Sequence, residues 1–315
     1  MNYQITQCRM LSQNIKEITV TAHTAGQGTP AAGAHFKWWI PGLDQWRHYS
    51  TVQLNEHNLS ADSHVFAIRL GDDSASSGYI RGLAAGDSVR LDGPFNAFTY
   101  APGKDDGTDI AIAGGIGITP LTGILGHLNT LGRPVHLHYF AKCEAQAAYA
   151  GEMRNLLQDR VTFHYSAQPE GRPSVSAVLD RLQPHDRLYV CGPQGMLNEV
   201  FSHAETLGLA RERIHFEVFN TERDAHDSGF DVEAVESGVV LRVNADQSLL
   251  DALEAAGLEP LYDCRRGECG VCALDVLEGE VEHRDFIMSA KEAACSARMY
   301  PCVSRAKSPS LKLAL

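Results

Sequence analysis

Four cysteines constrain this chain more than any other feature. Cys264, Cys269 and Cys272 lie in the run Cys264-Arg265-Arg266-Gly267-Glu268-Cys269-Gly270-Val271-Cys272, and Cys302 follows thirty residues later. The pattern is C-x4-C-x2-C with a distant fourth cysteine, the plant-type spacing for a [2Fe–2S] cluster, which carries one electron at a time. Two irons need four thiolates aimed into a small volume. Three close cysteines on one loop wrap such a cluster and a later one closes it. Gly267 and Gly270 lie among the ligands, where glycine lets backbone N–H groups approach sulfur and set its electronics.

Other readings of the cysteines are weaker. Zinc sites usually show paired C-x2-C knuckles, and only Cys269/Cys272 has that spacing. A thioredoxin-like C-x-x-C belongs near a helix start in a βαβ pattern. The opening Met1-Asn2-Tyr3-Gln4 has neither a basic nor an apolar leader region, which argues against secretion and a disulfide framework and leads us to expect a cytoplasmic protein. Cys295 competes with Cys302 as fourth ligand, while Cys8, Cys143 and Cys295 read most simply as small buried hydrophobes.

A length of 315 residues accommodates two or three domains, and no apolar run is long enough to span a membrane. The net charge of −12 argues against nucleic acid as a partner. Residues 229–315 hold 15 Asp/Glu against 9 Lys/Arg, a net of −6, which suits solubility or a docking face for a basic patch on an electron acceptor.

Residues 1–103 read as β-rich, with apolar runs at 15–22, 35–40, 47–54, 65–70 and 88–91 separated by turns, so an antiparallel barrel is expected. After a polar joint at 102–107 the rhythm changes. Strands at 109–113, 135–140, 161–165, 187–191 and 214–218 alternate with helical stretches at 120–131, 145–157, 175–182 and 196–207. This alternation predicts a parallel sheet covered on both faces over 104–220. Residues 220–228 read as a linker. A third unit over 229–315 has a two-strand start, a helix at 248–256 and the cysteine loop.

Ala113-Gly114-Gly115-Ile116-Gly117-Ile118-Thr119-Pro120 falls where a strand turns into a helix, the place where glycines and a helix N-terminus cradle a pyrophosphate. Thr119 is expected to cap that helix and Pro120 to begin it. The motif is not G-x-G-x-x-G, because Pro120 stands at the third glycine; a tight turn alone also accounts for the glycines. Cys191-Gly192-Pro193 follows another strand, where ligands of open α/β sheets collect. Arg47-His48-Tyr49-Ser50 lies on a strand of the first unit. Arg47 and Tyr49 face one way and His48 and Ser50 the other, offering a phosphate fork and a ring-stacking phenol. The segments Phe66-Ala67-Ile68-Arg69 and Ser76-Ser77-Gly78 add a cation and hydroxyls near a short helical stretch.

In this order, the motifs resemble the phthalate dioxygenase reductase family, the reductase components of Rieske-type oxygenase systems, among which vanillate demethylase reductases belong. The resemblance covers nearly the whole chain. It implies a flavin-binding barrel, an NAD-binding α/β domain and an α+β plant-type ferredoxin domain of β-grasp type. By it, Arg47 contacts an FMN phosphate, Tyr49 and Ser50 contact the isoalloxazine, and Ala67, Ile68, Arg69, Ser76, Ser77 and Gly78 complete the flavin site. It assigns Gly114, Gly115, Gly117, Ile118, Thr119 and Pro120 to the nucleotide, and Cys191, Gly192 and Pro193 to the nicotinamide. Phe219, at the end of Phe216-Glu217-Val218-Phe219, is placed near the flavin, and Cys264, Cys269, Cys272 and Cys302 ligate the cluster.

Two positions depart from the family pattern. Phe95 replaces the arginine of P-R-N-x-F, and Ser76-Ser77-Gly78 stands for G-G-S. FMN is favoured by domain order, with FAD as the alternative. One lysine and one glutamate in Ala141-Lys142-Cys143-Glu144 make a poor 2′-phosphate site, which favours NADH. The expected activity is NADH oxidation with single electrons passed to an oxygenase. The alternatives are a reductase for a di-iron monooxygenase and a zinc-stabilised nucleotide-binding module.

Overall fold

Six strands close into an antiparallel barrel: β1 (Asn2–Ser12), β2 (Ile15–Ala22), β3 (His35–Ile40), β4 (Gln45–Val52), β5 (Ser63–Arg69) and β6 (Ser88–Phe95), in the order β1-β2-β5-β4-β3-β6. This computed structural model describes the whole chain except residues 25–27, 55–59, 72–73, 101–106, 168–173, 220–225 and 295–296. Alternate residues fill the barrel: Ile18 and Val20 from β2, Phe36, Trp38 and Ile40 from β3, Phe66 and Ile68 from β5. The expected strands are all present. The sequence reading missed β1, whose run NYQITQCRMLS is mostly exposed and carries little apolar signal. One helix, α1 (Ala75–Gly82), closes the barrel. Ser74 accepts the Ser77 N–H at its start, and the buried Lys16 ammonium donates to the Ile80, Arg81 and Leu83 carbonyls at its end.

The next strands are β7 (Asp109–Gly114), β8 (Val135–Ala141), β9 (Val161–Tyr165), β10 (Arg187–Gly192) and β11 (Ile214–Val218), ordered β11-β10-β7-β8-β9. The chain builds outward from β7 to β9, then returns to build β10 and β11 on the other side. The crevice between β7 and β10 is therefore a topological switch point. The helices are α2 (Ile118–Thr130), α3 (Ala150–Leu157), α4 (Ser176–Leu179) and α5 (Gln194–Thr206). Two are shorter than their apolar runs suggest. The stretch at 145–157 begins with an isolated turn at Glu144–Gln146 before α3, and the one at 175–182 forms a single helical turn.

Barrel and parallel sheet together form one compact unit, Met1–Glu217. Thr122 on α2 accepts the Gln53 N–H at 3.0 Å, and the Tyr149 hydroxyl donates to the buried Glu17 carboxylate of β2 at 2.6 Å. Residues 102–106 of the expected joint and 220–225 of the expected linker lie outside the described residues.

The second unit, Val218–Leu315, carries β12 (Phe230–Ala234), β13 (Val239–Val243), α6 (Leu249–Ala255), β14 (Leu274–Glu278), β15 (Val281–Glu282), α7 (Ala290–Ala293), β16 (Arg298–Met299), β17 (Arg305–Ala306) and β18 (Ser310–Leu313). The main sheet runs β13-β12-β18-β14-β16, with β12 and β18 parallel and the β12–β13, β14–β16 and β14–β18 pairs antiparallel. A Ser248–Asp251 capping box starts α6, whose Leu249 and Leu253 bury against Phe230, Val232, Leu311 and Leu313. Several of these strands are two residues long, too short to leave a periodic signal in the sequence.

Candidate functional site

The glycine-rich turn and the Cys-Gly-Pro turn meet at the switch point. Cys191 pairs with Ala113 across the parallel β10–β7 ladder, so the two turns leave the sheet side by side. Their glycines are required by backbone crowding: a Cβ on Gly117 would overlap the Cys191 carbonyl, and one on Gly114 would lie 2.6 Å from Pro193 Cδ. Gly115 differs. It takes φ +55° and faces open space, the geometry of a turn that a ligand approaches.

The helix start corrects the sequence expectation. A short 3-10 turn at Gly115–Gly117 leads into α2, which begins at Ile118 with no side-chain cap. Thr119 donates instead to the Ile116 carbonyl, and Pro120 occupies the third helical position. Ile118, Thr119 and Pro120 are buried, so they can serve a ligand only through the backbone, while Gly115 and Ile116 are partly exposed. The Cys191 side chain is fully buried at the strand end, and Pro193 beyond it is exposed.

At the barrel, two distant segments converge. Tyr49 and Arg47 stand opposite the core residues Phe36 and Trp38, as strand alternation requires. The Tyr49 ring packs edge-on against Trp38, its hydroxyl hydrogen-bonds Ser76 at the start of α1, and Arg47 lies close by. Burial pushes the Tyr49 phenol up to about 12, against the pull of Arg47 and the Ser76 hydrogen bond, so it is a neutral donor at working pH. Arg47 is exposed. A guanidinium, a hydroxyl and a helix N-terminus in one corner suit a phosphate.

Not every expected flavin residue presents its side chain there. Ser77 is buried with its Oγ accepting the Gly71 N–H, and Ile68 belongs to the barrel core. Ala67 pairs with Glu17, while Arg69 and Gly78 are exposed. Phe95, at the position of the missing arginine, carries the Lys37 ammonium 4.8 Å above its ring.

One residue escaped the sequence reading. The buried Glu217 accepts from Ser50 Oγ with both carboxylate oxygens, at 3.2 and 3.0 Å. The available signal was a lone acid inside the apolar run Phe216-Glu217-Val218-Phe219. Phe219 follows β11 in the second unit and is half-buried.

In the second unit the four cysteines form two pairs. Cys272 and Cys302 Sγ atoms lie 3.4 Å apart, and Cys264 contacts Cys269. Thiolates sharing one tetrahedral metal at ~2.3 Å stand roughly 3.8 Å apart. Among the described residues, no three His, Cys, Asp or Glu side chains converge on a single-ion site. Two pairs of thiols suit the two irons of a [2Fe–2S] cluster, two ligands to each. Backbone N–H groups of Arg266 and Glu268 point at Cys264, that of Val271 at Cys269 and that of Gly267 at Cys302. Ion pairs brace the loop: Arg265 pairs with Asp251 at 2.8 Å and Glu254 at 2.6 Å, and the Arg266–Glu268 pair is nearly buried at 2.6 Å. Gly267, at φ +72°, passes so close to Val303 that a Cβ would lie 2.7 Å from its methyl. Cys269 is exposed, and Cys264, Cys272 and Cys302 are buried. Cys295 lies outside the described residues.

Residues 232–307 match the family model described as 2Fe-2S iron-sulfur cluster binding domain. The chain is 33% identical to a vanillate O-demethylase oxidoreductase of Pseudomonas sp. (strain HR199 / DSM 7063), over 99% of this chain and 98% of that protein. It is likewise 33% identical to the heme-dependent oxidative N-demethylase beta subunit of Ectopseudomonas mendocina (strain ymp), over 97% and 96%. The crystal structure of phthalate dioxygenase reductase superposes over 100% of this chain and 98% of its own, with TM-score 0.73 and 26% identity. The chain belongs to the phthalate dioxygenase reductase family. As a phthalate dioxygenase reductase-type oxidoreductase, it moves electrons from NADH through a flavin module and a [2Fe–2S] domain.

Proposed function

We propose that this chain is the electron-input component of a Rieske-type oxygenase system, with FMN as its flavin. In this reading residues 1–103 bind flavin, 104–220 bind NADH and 229–315 carry the cluster. The observation that carries it is the meeting of the glycine-rich and Cys-Gly-Pro turns at the β7–β10 switch point, within the same compact unit as the barrel. When bound, the flavin converts the two electrons of a hydride into single electrons suited to the cluster.

The protein's own groups hold and orient. Arg47, Ser76 and the start of α1 bind the flavin phosphate. Tyr49, held protonated by burial, packs the ring and donates a hydrogen bond. Glu217 fixes the Ser50 hydroxyl, and the backbone near Ala67, Ile68 and Arg69 would help hold the flavin. Gly114, Gly115, Gly117 and the first N–H groups of α2 cradle the pyrophosphate. Cys191, Gly192 and Pro193 would hold the nicotinamide at the end of β10. Phe219 is assigned to the flavin by the family motif alone. Cys264, Cys269, Cys272 and Cys302 would hold the cluster, which would supply one-electron transfer. The acceptor meets the exposed Cys269 edge, where Leu261 and Val271 are also exposed.

The relatives at 33% identity include a vanillate O-demethylase oxidoreductase and a heme-dependent oxidative N-demethylase beta subunit, so the Rieske acceptor is tested against a heme protein. The test is to purify the chain, identify the extracted flavin by chromatography, and follow NADH-driven reduction of a purified Rieske oxygenase and of a heme demethylase. FMN and preferential reduction of the Rieske protein are expected. FAD, or transfer only to the heme protein, overturns that part. Cys302→Ser should lose most of the cluster's iron and its electron paramagnetic resonance signal while Cys295→Ser keeps both; the reverse pattern reassigns the fourth ligand.

A further inference from the structure

A buried phenol beneath the glycine-rich turn is not used by the site described so far. Tyr139 lies on β8, one strand over from Ala113, with which it pairs, and is fully buried. Its hydroxyl stands 3.0 Å from the carbonyl of Gly115 and 3.1 Å from that of Ala148. The first carbonyl belongs to the one residue of the glycine-rich turn that has a positive φ and open space above it. The second lies in the loop leading to Tyr149, which itself adopts φ +59° and anchors on Glu17 of the barrel.

We infer that Tyr139 is a positioning residue for the pyrophosphate of the nucleotide, holding the Gly115 carbonyl inward so that the following N–H groups face the ligand. The inference rests on the nucleotide reading of the switch point. A peptide unit that turns at Gly115 has two soft orientations, and glycine permits both. The Gly115 carbonyl accepts from the Ile118 N–H on one side and from Tyr139 on the other. With both bonds in place the peptide plane is fixed. Without the phenol, only the short-range bond from Ile118 remains, and flipping the plane turns a carbonyl oxygen toward the pyrophosphate's negative charge. Burial keeps the phenol protonated by raising its pKa far above the usual range, so it remains a donor across the whole working pH range. It has one hydrogen for two carbonyls and so ties the turn to the Ala148 loop as well.

The test is calorimetric binding of NAD⁺ and of ADP-ribose, which has the pyrophosphate but no nicotinamide, to the holoenzyme and to Tyr139→Phe. Both ligands should weaken by the same factor, about three- to tenfold, the range expected for one hydrogen bond. Flavin reduction at saturating NADH should change less than ~twofold, so the loss appears in KM and not in kcat. Tyr3→Phe, which removes a buried hydroxyl of the barrel core, serves as control: whatever its effect on Tm, it should leave both affinities unchanged. Equal affinities for wild type and Tyr139→Phe overturn the inference, whatever happens to Tm. Failure of the wild type to bind either ligand overturns the nucleotide reading itself. Should Tyr139→Phe not fold, hydrogen exchange on the wild type decides. ADP-ribose should protect amides at 147–149 together with those at 114–118, and protection confined to 114–118 overturns the inference.

Discussion

The two ends of the parallel sheet use opposite chemistry on the same strands. At the start of β7, Asp109 is fully buried between two guanidiniums, Arg187 Nε at 2.7 Å and Arg133 Nε at 2.6 Å. At the other end of β7 and β10, five residues on, no such charge is used: glycine packs against backbone, and Gly115 turns with space above it. A buried charge with paired partners holds one arrangement strongly, because losing a partner leaves an ion uncompensated. A glycine end gives up side-chain packing and leaves main-chain donors open to a ligand. One end fixes the register of the sheet so that the other can stay sparse.

The largest expected effect tests that division directly. Asp109→Ala strands two arginines and should cost about 3–5 kcal/mol in urea unfolding. NAD⁺ affinity of the folded fraction should be unchanged, and a matching loss of affinity would break the comparison between the ends. Gly117→Ala is next. The added methyl meets the Cys191 carbonyl, neither side can yield cheaply, and about 1–3 kcal/mol of stability should go together with at least ~tenfold in NAD⁺ affinity.

Between the two ends, the outer strands carry a third kind of chemistry. His136 and His138 on β8 lie beside His164 on β9, with His138 Nδ1 3.0 Å from His164 Nε2. Burial, then the charges of His136, His164 and Arg181, lower His138 to about 3. The folded state keeps this imidazole neutral while the unfolded chain takes up a proton near pH 6.5, so stability is complete above that pH and falls from there toward pH 3. The shift alone corresponds to about 3 kcal/mol at pH 4, and solvent screening of this partly exposed ring reduces the expected loss to about 2 kcal/mol. Urea midpoints at pH 7 and pH 5 should differ less in His138→Gln than in wild type. The smallest effect is expected for Gly115→Ala. The site is open, so only the left-handed backbone penalty of about 1 kcal/mol applies, and Tm should fall by a few degrees at most.

Much of the site was legible before any tertiary structure. The cysteine spacing carried the cluster because three of its ligands lie on a single nine-residue loop, where local geometry nearly decides the chemistry. The alternation of apolar runs carried the barrel and the parallel sheet because side-chain period reports which faces are buried. What failed was local in a different way. Thr119 has the composition of a cap, but the turn at Gly115–Gly117 continues directly into the helix and leaves it inside. The strand β1 pairs on both sides while showing mostly polar residues, so its place is set by backbone hydrogen bonds that sequence period does not reveal.

The sequence by itself determined the cysteine pattern of the cluster domain, the order of the modules and the positions of the two turns, because each is written in residues close together in the chain. Tertiary structure alone decided which distant groups share a site. Ser50 meets Glu217 across 167 residues, Tyr49 meets Ser76, and Tyr139 reaches under the turn at Gly115. None of these has a local signature, since a hydrogen bond between separate elements depends on how sheets close and stack, and many sequences with the same period would place other groups there.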